Sequence, residues 1–131
     1  MASMQYMSSF EKITRSKLKD FFQTEDMLIF IVQPLQLRRA LGPQGKNAKM
    51  LRQKFNKKIK IVEYNPNVIT FIKNMIHPLK AVNITDEDGV VTIEGPDRET
   101  KALLIGRNAS NLRALENAVK RYFSIKEIKV V

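Results

Sequence analysis

Two stretches decide the fold: Leu41-Gly42-Pro43-Gln44-Gly45-Lys46-Asn47-Ala48-Lys49-Met50-Leu51 and, 64 residues later, Ile105-Gly106-Arg107-Asn108-Ala109-Ser110-Asn111-Leu112-Arg113-Ala114-Leu115. Gly42 and Gly106, Asn47 and Asn111, and Leu51 and Leu115 coincide, with conservative matches at Leu41/Ile105, Gly45/Ala109, Ala48/Leu112 and Phe55/Val119. So few identities make a repeat only if the flanking elements recur as well.

Working outward, they do recur. Ser8 with Glu11 has the spacing of a capping box and predicts a helix that carries Phe10 and Ile13 and ends near Arg15. Residues 17–23 and 27–33 read as two strands joined at Thr24-Glu25-Asp26. Pro34 is placed to open a helix on which Leu37, Ala40 and Leu41 share a face, with Arg38 and Arg39 off it. Beyond the turn at 42–45, a further helix carries Ala48, Leu51 and Phe55 on one side and Lys46, Lys49 and Arg52 on the other. Residues 58–64 alternate as a strand, with Ile59 and Ile61 facing one way. The order is αββααβ.

Asn65-Pro66-Asn67 breaks the chain and starts the same order again. A helix with Val68, Phe71, Ile72, Met75 and Ile76 on one face ends at His77-Pro78. Residues 80–85 and 90–94 form a hairpin around Asp86-Glu87-Asp88-Gly89. Gly95-Pro96 opens a helix that reaches Ile105, a turn follows, and Leu112, Leu115, Ala118, Val119 and Tyr122 mark the next helix. Residues 125–131 close as a strand. The sequence therefore predicts an α+β fold: a tandem repeat of αββααβ units, 1–65 and 66–131, each a small three-stranded sheet with helices on one face.

Charge is unevenly shared. The 131 residues carry 23 Lys and Arg against 13 Asp and Glu, a net +10. Residues 1–65 hold +8 of it and residues 66–131 only +2. From Arg38 to Lys60 there are nine cations and no acid. Such a run is either a solvated face or a polyanion site.

The repeated turn favours the polyanion. A Gly-x-x-Gly turn between two short helices is expected to leave the first amides of the second helix unpaired, at the positive end of its dipole. Glycine lets a phosphate approach the backbone, and Lys46 adds a charge just beyond. The competing reading is that Gly42 and Gly45 only permit a sharp turn. Repetition, the Asn that follows and the acid-free basic run weigh against it.

Other chemistries are excluded by composition. With no Cys there is no disulfide, thiolate metal site or cysteine nucleophile. His77, the single histidine, has no partner ligand, and Asp86 with Asp88 lacks the remaining ligands of a calcium loop. No Ser-His-Asp set, Walker lysine or paired catalytic carboxylate emerges, so no enzyme activity, metal or cofactor is expected. Phe55, Phe71, Tyr122 and Phe123 fall at helical spacings and read as core. The longest apolar run, 27–32, is far short of the ~20 residues of a spanning helix. No apolar signal segment follows Met1, so a cytoplasmic location and no membrane partner are expected.

In this element order, the two turns and the basic helix after the first resemble the paired type II KH domains of archaeal NusA-like transcription factors. Ile61-Val62-Glu63-Tyr64, Phe71-Ile72-Lys73-Asn74 and Ala81-Val82-Asn83-Ile84 are similar to that family as well, and the likeness runs from about Tyr6 to the C-terminus. It implies a first KH domain at 1–65 and a second at 66–131, with single-stranded RNA bound during transcription elongation, termination or antitermination. In KH domains a Gly-x-x-Gly loop clamps the backbone of about four nucleotides beside a groove for the bases. Carried over by position, Gly42, Pro43, Gln44 and Gly45 form the first loop, supported by Arg38, Lys46, Lys49 and Arg52. Gly106, Arg107, Asn108 and Ala109 form the second, supported by Arg113. Pro43 stands where the family commonly has a basic residue, and Ala109 replaces a glycine, so the first copy is expected to dominate affinity. Nascent RNA is the implied partner, RNA polymerase a candidate second one, and a monomer is expected. A ribosomal or other structural RNA-associated protein and a helix-turn-helix binder of duplex DNA are the alternatives; the αββααβ order argues against the latter.

Overall fold

The computed structural model describes residues 2–24 and 27–131. Along the first half run α1 (Ser3–Thr14), β1 (Leu18–Gln23), β2 (Met27–Val32), α2 (Leu37–Leu41), a 3₁₀ turn (Pro43–Gly45), α3 (Lys46–Phe55) and β3 (Lys58–Glu63). Along the second run α4 (Val68–Ile76), β4 (Asn83–Glu87), β5 (Val90–Glu94), α5 (Arg98–Ile105), a second 3₁₀ turn (Arg107–Ala109), α6 (Ser110–Lys120) and β6 (Glu127–Val130). The chain divides into two compact units, Met1–Asn65 and Pro66–Val131. The architecture is α+β, with a three-stranded sheet in each unit.

In the first unit the strand order is β1-β2-β3, with β1 antiparallel and β3 parallel to β2. Apolar residues on both faces suit β2 to the centre of the sheet. Leu28, Phe30 and Val32 alternate onto one face and meet Tyr6 and Phe10 of α1, Ala40 of α2, and Leu51 and Phe55 of α3. Phe10 stacks on Phe30 with ring centroids 4.3 Å apart, and Tyr6 meets Phe55 edge-on at 4.9 Å. A parallel pair needs a crossover, which α2, the turn and α3 supply between β2 and β3. The loop at 42–45 is thus held between two helices that are each anchored in the core by buried side chains, Ala40 on one and Ala48, Leu51 and Phe55 on the other.

In the second unit β5 is central, antiparallel to β4 and parallel to β6. Ile84 pairs with Ile93 and Val91 with Ile128, so the buried strand residues share a face. Phe71 of α4 is fully buried, with the rings of Tyr122 and Phe123 at 5.6 and 5.7 Å.

Several element ends differ from the sequence expectation, each for a physical reason. Helix α1 starts at Ser3, so Ser8 lies inside it and caps nothing. Tyr6 packs against Phe21 and Phe55, which extends the helix backwards, and the Gln5 side chain accepts the Ala2 N–H at 3.0 Å. Pro34 does not open α2. It occupies a turn in which the Gln36 N–H donates to the Gln33 carbonyl at 3.2 Å, with Leu35 at φ 69°. Glu63 Oε1 accepts the N–H of Leu35 at 3.1 Å and of Leu37 at 3.3 Å, which delays the helix to Leu37. Helix α5 is opened by Asp97, not by Gly95-Pro96: the Asp97 carboxylate accepts the Thr100 N–H at 2.6 Å, and this bond holds its pKa below the usual carboxylate value. Strand β4 starts at Asn83 and includes Asp86 and Glu87, so only Asp88-Gly89 turns the hairpin, where Asp86 Oδ1 accepts the Gly89 N–H at 3.1 Å. Helix α6 stops at Lys120, before Tyr122, and β6 spans only Glu127–Val130. The join expected at Thr24-Glu25-Asp26 falls largely on residues outside those described.

Candidate nucleic-acid interface

The geometry of the first loop begins at Gly42, which ends α2 at φ 73° and ψ 175°, a region open in practice only to glycine. Gln44 (φ 53°, ψ 29°) and Gly45 (φ 72°, ψ 20°) follow in the left-handed region, and α3 then runs away from the turn. The second loop has the same course: Gly106 (φ 74°, ψ 173°), Asn108 (φ 55°, ψ 33°) and Ala109 (φ 61°, ψ 22°). Asparagine suits the left-handed region, whereas Gln44 and Ala109 adopt it at a local cost.

The loop amides correct one sequence expectation. The Gly45 N–H donates to the Gly42 carbonyl at 3.1 Å, and the Lys46 N–H donates to the Pro43 carbonyl. In the second loop the Ala109 N–H donates to Gly106 at 3.2 Å and the Ser110 N–H to Arg107. The first amides of the second helix are therefore not all unpaired; a tight 3₁₀ turn uses the first of them and the amide of the residue before it. What the turn offers an anion is the positive end of α3 and the cations around it.

A contact that spacing alone could not reveal explains the repeated asparagine. Asn47 Nδ2 reaches back across the loop to donate to the Arg39 carbonyl at 3.2 Å, and Asn111 Nδ2 donates to the Leu103 carbonyl at 2.9 Å. A Cβ on Gly42 would fall 2.8 Å from Asn47 Cγ, and one on Gly106 would fall 2.6 Å from Asn111 Cγ. Gly42 and Asn47 therefore coincide with Gly106 and Asn111 because each pair is one interlocked unit. A Cβ on Gly45 would meet nothing within 4 Å.

Around the first loop, Arg38, Pro43, Gln44, Lys46, Lys49 and Arg52 are exposed, and Gly42 and Gly45 are half-buried. Among the described residues none of Arg38, Lys46, Lys49 and Arg52 forms an ion pair. Lys60, the last cation of the run, lies apart on β3, half-buried, and desolvation lowers its pKa.

The second loop is electrostatically different. Arg107 and Asn108 are exposed, but Arg113, at the position of Lys49, donates to both carboxylate oxygens of Glu116 at 3.0 and 3.1 Å. Glu116, at the position of Arg52, is buried, accepts the Ile128 N–H at 2.9 Å and has Lys120 at 3.7 Å. Burial alone would raise its pKa; the Ile128 amide, Arg113 and Lys120 outweigh that and hold it below the usual value. Arg113 is thereby engaged in fastening α6 to β6. Ala102 and Leu103 also stand where the first unit has Arg38 and Arg39, and both are exposed. The 64-residue offset itself carried these differences, since it sets Arg52 against Glu116.

His77 is exposed at the end of α4, and among the described residues no group of three or more His, Asp or Glu could hold a metal ion. No helix among them is long and apolar enough to cross a membrane.

No protein-family model matches the chain. Curated relatives do. The chain is 30% identical over 129 residues to the "Probable transcription termination protein NusA" of Methanococcus vannielii, covering 95% of this chain and 74% of that one. It is 27% identical over 131 residues to the protein of the same name from Thermoplasma acidophilum, covering 98% and 91%. The protein so named from Methanocaldococcus jannaschii is 29% identical over 126 residues, covering 93% and 68%. Among solved structures, the crystal structure of APE1850 superposes with a TM-score of 0.72 at 25% identity, covering 98% of this chain and 96% of that one.

Proposed function

The chain belongs to the archaeal NusA family of transcription termination proteins, and from that premise we propose that it binds single-stranded RNA during transcription through two tandem type II KH domains, residues 1–65 and 66–131. The first domain dominates. Its loop at 42–45 takes the RNA backbone, and Arg38, Lys46, Lys49 and Arg52 supply the counter-charge. The observation that carries this reading is the exposed set of cations, without ion pairs among the described residues, around a loop whose Gly45 side is open. Phosphates neutralised there release counterions, the main source of affinity for a polyanion.

The second loop contributes less. A methyl group on Ala109 stands where the first loop is bare, Arg113 is occupied by Glu116, and only Arg107 adds charge at the turn. Bases then rest against aliphatic walls, since Phe55 and Phe71 are buried. Nascent RNA is the ligand, and RNA polymerase is the second partner. The chain acts as a binding protein and not as an enzyme.

The test is a fluorescence-anisotropy titration with single-stranded RNA, single-stranded DNA and duplex DNA of matched sequence over a series of salt concentrations. Preference for single-stranded RNA, with log K falling against log salt at a slope of about −3 to −5, corresponds to roughly four to seven phosphate contacts and supports the reading. Preference for duplex DNA, or binding to none of the three, refutes it.

A further inference from the structure

We infer that Asn47 is a positioning residue for RNA at the first loop: its side-chain amide holds residues 42–45 in the binding shape before RNA arrives. The inference rests on the reading of this loop as the RNA site. Arg39 lies in the last turn of α2, whose final carbonyls have no amide partner within the helix. The Gly42 N–H takes the carbonyl of Arg38, and Asn47 Nδ2 takes that of Arg39 at 3.2 Å. This bond closes a ring of chain from Arg39 to Asn47 that encloses the whole loop.

Packing reinforces the closure. The Asn47 side chain occupies the space where a Cβ on Gly42 would stand, so any side chain at position 42 would displace it. The loop is filled at Gly42 and open at Gly45. Gln44 and Gly45 are held in left-handed conformations that an unrestrained chain visits only part of the time. Restricting them in advance removes an ordering cost from the binding step. The second unit repeats the device with Asn111, Leu103 and Gly106.

A residue that positions the loop and does not touch RNA has a distinct signature. Its loss loosens the loop in the free protein and lowers affinity, while the salt slope, which counts phosphates neutralised by cations, stays the same. The experiment compares the 131-residue chain with its Asn47→Ala variant, using a fluorescein-labelled single-stranded RNA of mixed sequence over a salt series. Nitrogen-15 spectra of the loop amides are recorded alongside. The expected result is a Kd raised roughly five- to tenfold at an unchanged slope. The Gln44 and Gly45 amide signals broaden in the free variant and sharpen when RNA saturates it. If Asn47→Ala does not fold, Asn47→Ser, too short to reach Arg39, carries the same test.

Wild-type affinity in a folded variant overturns the inference and makes the bond a purely structural one. Reduced affinity with the Gln44 and Gly45 amide signals unchanged in the free variant also overturns it, because Asn47 would then act by contacting the RNA itself. Absence of RNA binding by the unaltered chain removes the underlying reading, an outcome distinct from both.

Discussion

Gly45 and Ala109 occupy the same place in their loops with nearly the same backbone, φ 72° and ψ 20° against φ 61° and ψ 22°. The difference between them is one methyl group. At Gly45 that methyl would meet nothing within 4 Å, so packing does not demand glycine there. Exchanging the two residues therefore separates what the fold needs from what a ligand needs. Gly45→Ala is expected to cost about 1 kcal/mol or less, the left-handed penalty being partly offset by the lower entropy of the unfolded chain. RNA affinity is expected to fall about tenfold or more, because the methyl group intrudes on backbone approach. Ala109→Gly is expected to strengthen RNA binding with little change in the melting temperature. Titration and thermal melts of both variants check this; a Gly45→Ala protein that binds RNA normally contradicts it.

Glu116 gives a pH prediction. Its folded-state pKa is depressed, so its contribution is present above the unfolded carboxylate pKa of about 4.3 and is lost as pH falls through the lower folded value. Glu116→Gln is expected to destabilise the second unit by about 1–2 kcal/mol at pH 7, through loss of the charge that Arg113 and Lys120 face. The gap between variant and wild type narrows below about pH 4. Urea titrations at pH 7 and pH 3 measure it, and a gap of equal size at both values rules the ion-pair account out.

Leu35 stands 90% exposed at φ 69° after Pro34, in a turn position that favours glycine. Leu35→Gly is expected to raise stability by about 0.5–1 kcal/mol, since relief of the left-handed penalty exceeds the added entropy of the unfolded chain. A rise in the urea midpoint at constant m-value would show it, and a fall would mean that the exposed side chain packs favourably.

The parts of the fold legible in the sequence are those governed by local periodicity. Ala48, Leu51, Phe55, Phe71, Leu115 and Val119 were each readable as core from spacing, and each is buried. The parts that were not legible depend on distant partners. Ser8 and Glu11 carry a valid local capping signal, but Tyr6, buried against Phe21 and Phe55, overrides it. Pro34 fails to start α2 because Glu63, 28 residues away from Leu35, takes the amides of the turn. At the loop, glycine and lysine positions follow from the motif. The tie from Asn47 to Arg39 needed the fold, since a bond between residues eight apart has no periodic signature.

The central claim, that the first loop takes the RNA backbone, is tested most directly by changing Pro43 and Gln44 together to Asp. Both side chains are exposed, Asp tolerates the left-handed conformation of position 44, and two carboxylates there repel phosphate. The measurement is RNA affinity by anisotropy on a variant whose melting temperature matches the parent. The account predicts loss of RNA binding, with a smaller loss for the same change at Arg107 and Asn108. Unchanged affinity in the folded Pro43→Asp, Gln44→Asp protein would contradict it.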